Sequence, residues 1–221
     1  DLHSCERALK RYMPEYHPIW EKQWELVGGD PLAAQFLSFW TPPRYLVNCS
    51  QAVLREGADG PLLIRNYDLD PRLNEATVYA TNWTGTRRVM GMVEGLSGLS
   101  DGVNDAGLAI SLTFGGRVAA GRGFGVPLIM RYVLETCRDT PDAIEALRTI
   151  PSHMSYNLTL VDKHGRLATV FLAPDRPAIV QGTPYTTNHQ LGAEWPAHAR
   201  MSETIKRAEV LYHFLGYPQD E

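Results

Sequence analysis

An amide carbonyl is a poor electrophile. Cleaving one takes a strong nucleophile, a base to activate it and donors that hold the developing oxyanion. Cysteine can be that nucleophile, but only as the thiolate, so it needs a base or positive charge close by. Cys49 has the best surroundings for this role. Tyr45-Leu46-Val47 leads into it, and Ala52-Val53-Leu54 continues as an expected strand to a turn at Gly57-Ala58-Asp59-Gly60. Leu62-Leu63-Ile64-Arg65-Asn66 then returns as a second strand, running on to Tyr67 and Asp68. Closing this hairpin brings Arg65 and Asp68 back toward Cys49.

Each residue also has a plainer reading. A cysteine at a strand start is commonly a small buried hydrophobe. Arg65 and Asp68 suit an ion pair bordering a turn, and Asn188 in isolation reads as a turn residue capping local backbone. Residue type alone leaves these alternatives open.

The elements that must position such a site are legible along the chain. Residues 1–40 are rich in Trp, charged residues and helix formers, and Gly28-Gly29-Asp30-Pro31 interrupts them. Asp30 followed by Pro31 predicts an N-cap with proline at the first helical position, opening a helix from Leu32 to Trp40. Thr41-Pro42-Pro43 ends it, because proline lacks the amide hydrogen a helix needs. Beyond this break the pattern predicts strands at Val78 to Thr81, Val89 to Val93 and Leu108 to Thr113, the last after a turn at Asn104-Asp105-Ala106-Gly107. A helix begins at Pro127, and another runs from an N-cap at Thr140 to about Ile150. Strands return at Tyr156 to Val161, Leu167 to Leu172 and Tyr185 to Asn188, and Ser202 to Leu215 reads as a helix. Blocks in this order predict helices layered on antiparallel sheets, an α+β class.

Composition bounds the function. The chain has 221 residues, 44% hydrophobic and 21% charged, enough for one domain with a sizeable core. A net charge of -4 and a pI near 6.0 give no reason to expect a nucleic acid or an anionic membrane as partner. No positively charged start followed by an apolar block precedes the first helix, and no apolar stretch is long enough to span a bilayer. Cys5, Cys49 and Cys137 form no metal-ligand or CxxC spacing, and their odd number argues against a disulfide framework. That favours a reducing compartment and a cytoplasmic location, against the weak contrary signal of Asn-x-Ser/Thr triplets at Asn48, Asn82 and Asn157. Neither a metal nor an organic cofactor is implied. Oligomerisation with identical copies is left open.

Five short motifs occur in order: Cys49-Ser50; Ile64-Arg65-Asn66-Tyr67-Asp68; Asp101-Gly102-Val103-Asn104-Asp105-Ala106-Gly107-Leu108; Asn157-Leu158-Thr159-Leu160-Val161-Asp162; and Thr187-Asn188-His189. Through them the chain resembles the N-terminal-nucleophile linear amide C–N hydrolases. These include choloylglycine hydrolases, penicillin V acylases and, nearest to this sequence, the peptidase C45 (acyl-coenzyme A:6-aminopenicillanic acid acyltransferase-like) group.

The resemblance implies an αββα sandwich with Cys49 at the head of a central strand. It implies a zymogen cut by itself between Asn48 and Cys49, with residues 1–48 a helical propeptide or small α chain and 49–221 the catalytic domain. The freed α-amine of Cys49 would act as general base. Arg65 would lower the thiol pKa, Asp68 would orient the α-amine, and the Asn188 side-chain amide would donate to the oxyanion. A backbone N–H near Thr113 or Phe114 would be the second donor. The family pattern has a further arginine in the C-terminal region; Arg200 and Arg207 are the local candidates, and neither falls cleanly on it. The fold also calls for more strand beyond Glu221.

The implied reaction is hydrolysis of a small-molecule N-acyl amide through a thioester on Cys49. Transfer of the acyl group to an amine, or a catalytically silent homologue that binds a small ligand, are the other readings. A papain-like site using His189 is disfavoured, because such enzymes set their cysteine at a helix start with a flanking motif absent here. Met90, Met92, Phe114 and Phe124 would serve either as an acyl pocket or as core, and Trp20, Trp24 and Trp40 either as core or as a partner surface.

Overall fold

Asp1 and Asp30 each accept a hydrogen bond from a backbone amide three residues on, which satisfies one of the orphan donors at a helix start. They open α1 (Leu2–Tyr12) and α3 (Pro31–Leu37), with α2 (His17–Leu26) between. The computed structural model describes residues 1–216. The third helix stops at Leu37, short of the expected Trp40. Phe39 and Thr41 take φ of 52° and 54°, left-handed backbone that no helix continues through. The segment is pinned there: Gly125 N–H donates to Phe39 C=O and Thr41 N–H to Gly123 C=O. Gly95 must lack a side chain at this point, since a Cβ would lie 2.7 Å from the Phe39 ring.

The hairpin forms as expected from β1 (Asn48–Leu54) and β2 (Leu62–Asp68), and β10 (Tyr185–Thr186) joins the other side of β1. A second sheet has seven antiparallel strands in sequence order: β3 (Val78–Thr81), β4 (Val89–Glu94), β5 (Gly98–Asn104), β6 (Leu108–Phe114), β7 (Tyr156–Asp162), β8 (Leu167–Ala173) and β9 (Arg176–Gln181). Two of these lack a strand signal in the sequence. The first, β5, carries two glycines and little alternation, and its neighbours on both sides supply its ladder. The other, β9, contains Pro177 and takes the sheet edge, where a missing amide hydrogen costs little.

Helix α4 (Val126–Thr136) and α5 (Thr140–Thr149) cover the outer face of the large sheet. The cap of α5 is Asp139, whose carboxylate accepts from Asp142 N–H, while the expected cap Thr140 sends its hydroxyl to Arg166 C=O. On the far side α7 (Thr204–Phe214) packs on β10 and β1. It is the expected terminal helix, and a shorter one without a sequence signal, α6 (Pro196–Met201), precedes it, the two separated by Glu203 at φ 49°. The layers are therefore helix, three-stranded sheet, seven-stranded sheet, helix: an αββα sandwich. Among the described residues no helix is long and apolar enough to cross a membrane.

The facing sides of the two sheets are polar. Gln51 donates to the hydroxyls of Thr159 (2.8 Å) and Thr186 (2.6 Å) and accepts from Ser111, and Thr159 shares a hydrogen bond with Thr169. Alternating residues Ile110, Leu112, Leu158 and Leu160 lie on the other face and are fully buried. The amino-terminal helices belong to the same core. Leu9, Met13, Tyr16, Trp20 and Ala34 are buried in one cluster with Leu99, Ile129 and Val133. Trp20 is the largest of them, and its indole N–H donates to Ala34 C=O at 2.8 Å. Trp24 and Trp40 pack against this cluster as well.

Trp20→Ala should lower unfolding free energy by about 3–5 kcal/mol, the usual loss for a fully buried tryptophan. Urea denaturation measures it. A loss under about 1 kcal/mol would mean that the first helices sit on the domain without sharing its core.

Candidate active site

The register of the first hairpin decides which side chains meet the thiol. Cys49 pairs with Tyr67, Gln51 with Arg65 and Asn48 with Asp68. Directly opposed residues of an antiparallel pair project to the same face. Cys49, Arg65 and Tyr67 therefore share the face that meets the large sheet, whereas Asp68 projects with Ser50 to the face that α7 covers. Arg65 lies close enough to the Cys49 thiol to favour its charged form. Asp68 is exposed, accepts from Asn66 Nδ2 at 2.8 Å, and lies close enough to Arg207 to stabilise its charge.

Asn188 is the hub. Its Oδ1 accepts from Cys49 N–H at 2.9 Å and from Arg207 Nη2 at 2.7 Å. Its Nδ2 donates to Val47 C=O at 3.2 Å and Phe114 C=O at 3.1 Å. Two lone pairs and two N–H groups are all in use, and exchanging O for N would set donors against donors. The flanking residues are held by Asn157, whose Nδ2 donates to the carbonyls of Thr187 and His189 and to Thr113 Oγ1. Asn157 is fully buried in this role. The Thr113 hydroxyl is committed to Thr187 C=O at 2.9 Å. Of Thr113 and Phe114, it is the Phe114 backbone that lies near enough to the Cys49 thiol to favour its charged form.

Of the two carboxy-terminal arginines, Arg207 is the one that approaches Cys49. It reaches from α7 to Cys49 C=O (2.5 Å), Ser50 Oγ (2.7 Å) and Asn188 Oδ1. Arg200 makes no such contact among the described residues. Sequence could have placed Arg207 on a helix, but not aimed that helix at β1. His189 turns away from the thiol, its Nδ1 meeting the Thr204 and Thr187 hydroxyls.

A second cluster near the thiol joins Arg65, Tyr67 and Asp101 to Tyr45 and Glu94, the last two without a sequence signal. The Arg65 guanidinium stacks over the Tyr67 ring at 3.8 Å and pairs with Asp101 at 2.8 Å. Glu94 ends β4 just past an irregularity in the β4–β5 register between Met92 and Val93, the kind of bulge that re-aims a side chain. The Tyr45 hydroxyl donates to Glu94 Oε1 at 2.7 Å. Glu94 Oε2, Tyr67 OH and the Nε and Nη2 of Arg65 are buried without a well-formed hydrogen bond among the described residues. Burial pushes the Cys49 thiol up to about 11, with the Arg65 charge and the Phe114 backbone opposing it. Burial also raises Glu94, against the nearby hydroxyls of Tyr45 and Tyr67.

Of the residues considered for an acyl pocket, Phe114 and Phe124 are core and Met90 is exposed. Outside this region, Glu6, His17 and Glu21 bring potential metal-ligand atoms within 4.8 Å of one another. The two nitrogens of His17 face different carboxylates, Glu21 at 3.5 Å and Glu6 at 4.0 Å, and Glu6 is already bonded to Lys10.

The model of the family described as acyl-coenzyme A:6-aminopenicillanic acid acyl-transferase matches residues 55–216. Similar solved structures include a mutant conjugated bile acid hydrolase of Clostridium perfringens, at 14% identity and a TM-score of 0.49, with 69% of this chain and 57% of that chain covered. The Caenorhabditis elegans N-acylethanolamine-hydrolyzing acid amidase ortholog is 15% identical at a TM-score of 0.47, covering 78% and 82%. The penicillin V acylase of Agrobacterium tumefaciens is 15% identical at 0.38, covering 68% and 47%. The chain thus spans about half the length of the bile acid hydrolase and the penicillin V acylase. No curated protein sequence matches it.

With a thiol pKa near 11, roughly one Cys49 in ten thousand is thiolate at pH 7. Iodoacetamide labelling of Cys49 in the uncut chain should therefore be slow and quicken about tenfold per pH unit from pH 7 to 9. Peptide mass spectrometry measures the rates. A plateau below pH 8 would show a thiol already activated before any cleavage.

Proposed function

The chain belongs to the acyl-coenzyme A:6-aminopenicillanic acid acyl-transferase family, and from that premise we propose that it is a cysteine-nucleophile amidase matured by its own cleavage between Asn48 and Cys49. The observation that carries this reading is the Asn188 side chain at the backbone of Cys49, with one N–H held by the Val47 carbonyl.

In the maturation step Cys49 Sγ attacks the Asn48 carbonyl carbon. The C–N bond to Cys49 breaks, and its nitrogen takes the thiol proton. Water then hydrolyses the thioester, leaving a carboxylate on Asn48 and a free thiol and α-amine on Cys49. When Val47 withdraws, one Asn188 N–H is released. It would then be free, with the backbone N–H of Phe114, to donate to the oxyanion of an incoming amide.

The α-amine, with a reference pKa of about 7.7–8.0, suits proton exchange near neutral pH far better than a buried thiol does. It takes the proton from Sγ and returns it to the leaving amine. The acyl group stays on sulfur as a thioester until water releases it. Arg65 favours the thiolate by charge. Arg207, bonded to Cys49 C=O and Asn188 Oδ1, holds the nucleophile and the oxyanion donor in one frame. Asp68, near Arg207, is a candidate to meet the new α-amine.

We read the substrate as a linear N-acyl amide. The description of the family also supports acyl transfer, in which an amine replaces water at the thioester. Product analysis with added amine separates the two. The three cysteines are free and buried.

Denatured mass spectrometry tests the maturation. Wild type should yield two fragments meeting between Asn48 and Cys49, and Cys49→Ala a single chain; one uncut chain in both would sink the mechanism. In the matured enzyme, Asn188→Ala should cut kcat by about 10²–10³, the loss usual for one oxyanion donor. Loss of binding with kcat intact would reassign Asn188 to substrate positioning.

A further inference from the structure

The residues just before Cys49 occupy the space beside the thiol. Their upstream anchor is the pinned, left-handed segment at Phe39 and Thr41, which is bonded to Gly123 and Gly125. Between that anchor and Cys49 run residues 42–48, which form no helix and enter a strand only at Asn48. Tyr45 packs its ring against the core and donates its hydroxyl to Glu94. Val47 is buried and holds the Asn188 amide. Glu94 is near enough to the Cys49 thiol and to Tyr67 to bear on their charge.

An acid drawn into an apolar, tyrosine-lined pocket is costly to bury unless a donor meets it. In the uncut chain Tyr45 meets one oxygen of Glu94, and the second oxygen is left without a well-formed hydrogen bond. Cleavage would leave residues 42–48 tethered only at Thr41 and free to swing out. Helices α1 to α3 would stay in the core. The pocket vacated would then hold a buried carboxylate that has lost its well-formed hydrogen bond and keeps only the nearby Tyr67 hydroxyl, on the acyl side of the site.

We propose that residues 42–48 fill the acyl half of the substrate site, and that Glu94, which holds Tyr45 there, selects substrates whose acyl arm ends in a hydroxylated ring. This rests on the amidase reading above and names its substrate class. Three residue steps of extended chain lead from Tyr45 to Asn48, so the arm spans about 10 Å from the scissile carbonyl. A plain phenyl end would fill the same volume without replacing the hydrogen bond that Tyr45 gives Glu94. The selectivity for phenol over phenyl should be roughly tenfold to a hundredfold.

The test uses a chain that cannot be cut, so its result does not depend on Cys49 being a nucleophile. Tyr45→Ala is made in the Cys49→Ala background, and binding of p-cresol and toluene to the resulting cavity is measured by calorimetry. The expected result is p-cresol bound at least about tenfold tighter than toluene, with neither bound when Tyr45 is present. Glu94→Leu should abolish the preference, and should that variant not fold, Glu94→Gln should lower it. Equal binding of the two probes, or binding of neither, overturns the proposal. In the matured enzyme, amides with 4-hydroxyphenyl-ended acyl arms should have the higher kcat/KM. Turnover without that preference overturns the substrate class and leaves the amidase reading standing, whereas an absence of cleavage and turnover beside a p-cresol preference overturns the amidase reading alone.

Discussion

A single carboxamide ties the molecule together at its chemistry. Asn188 makes all four of the hydrogen bonds open to it, to the backbone of Val47, Cys49 and Phe114 and to the guanidinium of Arg207. Those partners come from the segment before Cys49, the small sheet, the large sheet and α7. A buried amide leaves little tolerance, because any partner withdrawn leaves a polar group unmet at a cost of about 1–3 kcal/mol. The relative position of both sheets at Cys49 is therefore set by hydrogen-bond geometry as much as by packing.

The same principle operates along the whole contact between the sheets. Gln51, Ser111, Asn157, Thr159, Thr169 and Thr186 meet there, and all are buried. Hydrophobic packing is forgiving of small slips, since it is non-directional. A network of hydroxyls and amides is not, because each bond has a preferred length and angle. This seam fixes the register of the two sheets through directional bonds. The apolar cores under α4 and α5, and around the amino-terminal helices, supply the stability that such a seam by itself would not.

The thiol is held in a resting condition. Cys49 is fully buried, and its nitrogen is an amide hydrogen-bonded to Asn188. Burial outweighs the opposing influence of Arg65, so the sulfur stays protonated. The groups that could change this are already in place around it. Four polar atoms of Arg65, Tyr67 and Glu94 are buried there without well-formed hydrogen bonds, which native structures tolerate chiefly where a ligand, water or reaction will use them. The tail that includes Tyr45 and Val47 keeps part of that capacity occupied.

Local signals in the sequence determined the first hairpin, the capped helix at Asp30, most strands of the large sheet and the order of the motifs around Cys49. These depend on side-chain period, turn residues and caps, which act over a few positions. Where the signal was non-local it was silent or incomplete. β5 has no alternation and is made by its neighbours, and the bulge that aims Glu94 belongs to a pairing between strands. Arg207 reaches Cys49 across a separation of 158 residues, which only the packing of α7 on β1 can close. Asp68 follows the same rule in reverse. It is next to Cys49 in the hairpin, yet the register turns it to the opposite face, because side chains alternate along a strand while hydrogen bonding fixes which residues oppose one another. Residue types and spacing thus determined which chemistry the chain carries, and tertiary packing decided which of those residues stand around the sulfur.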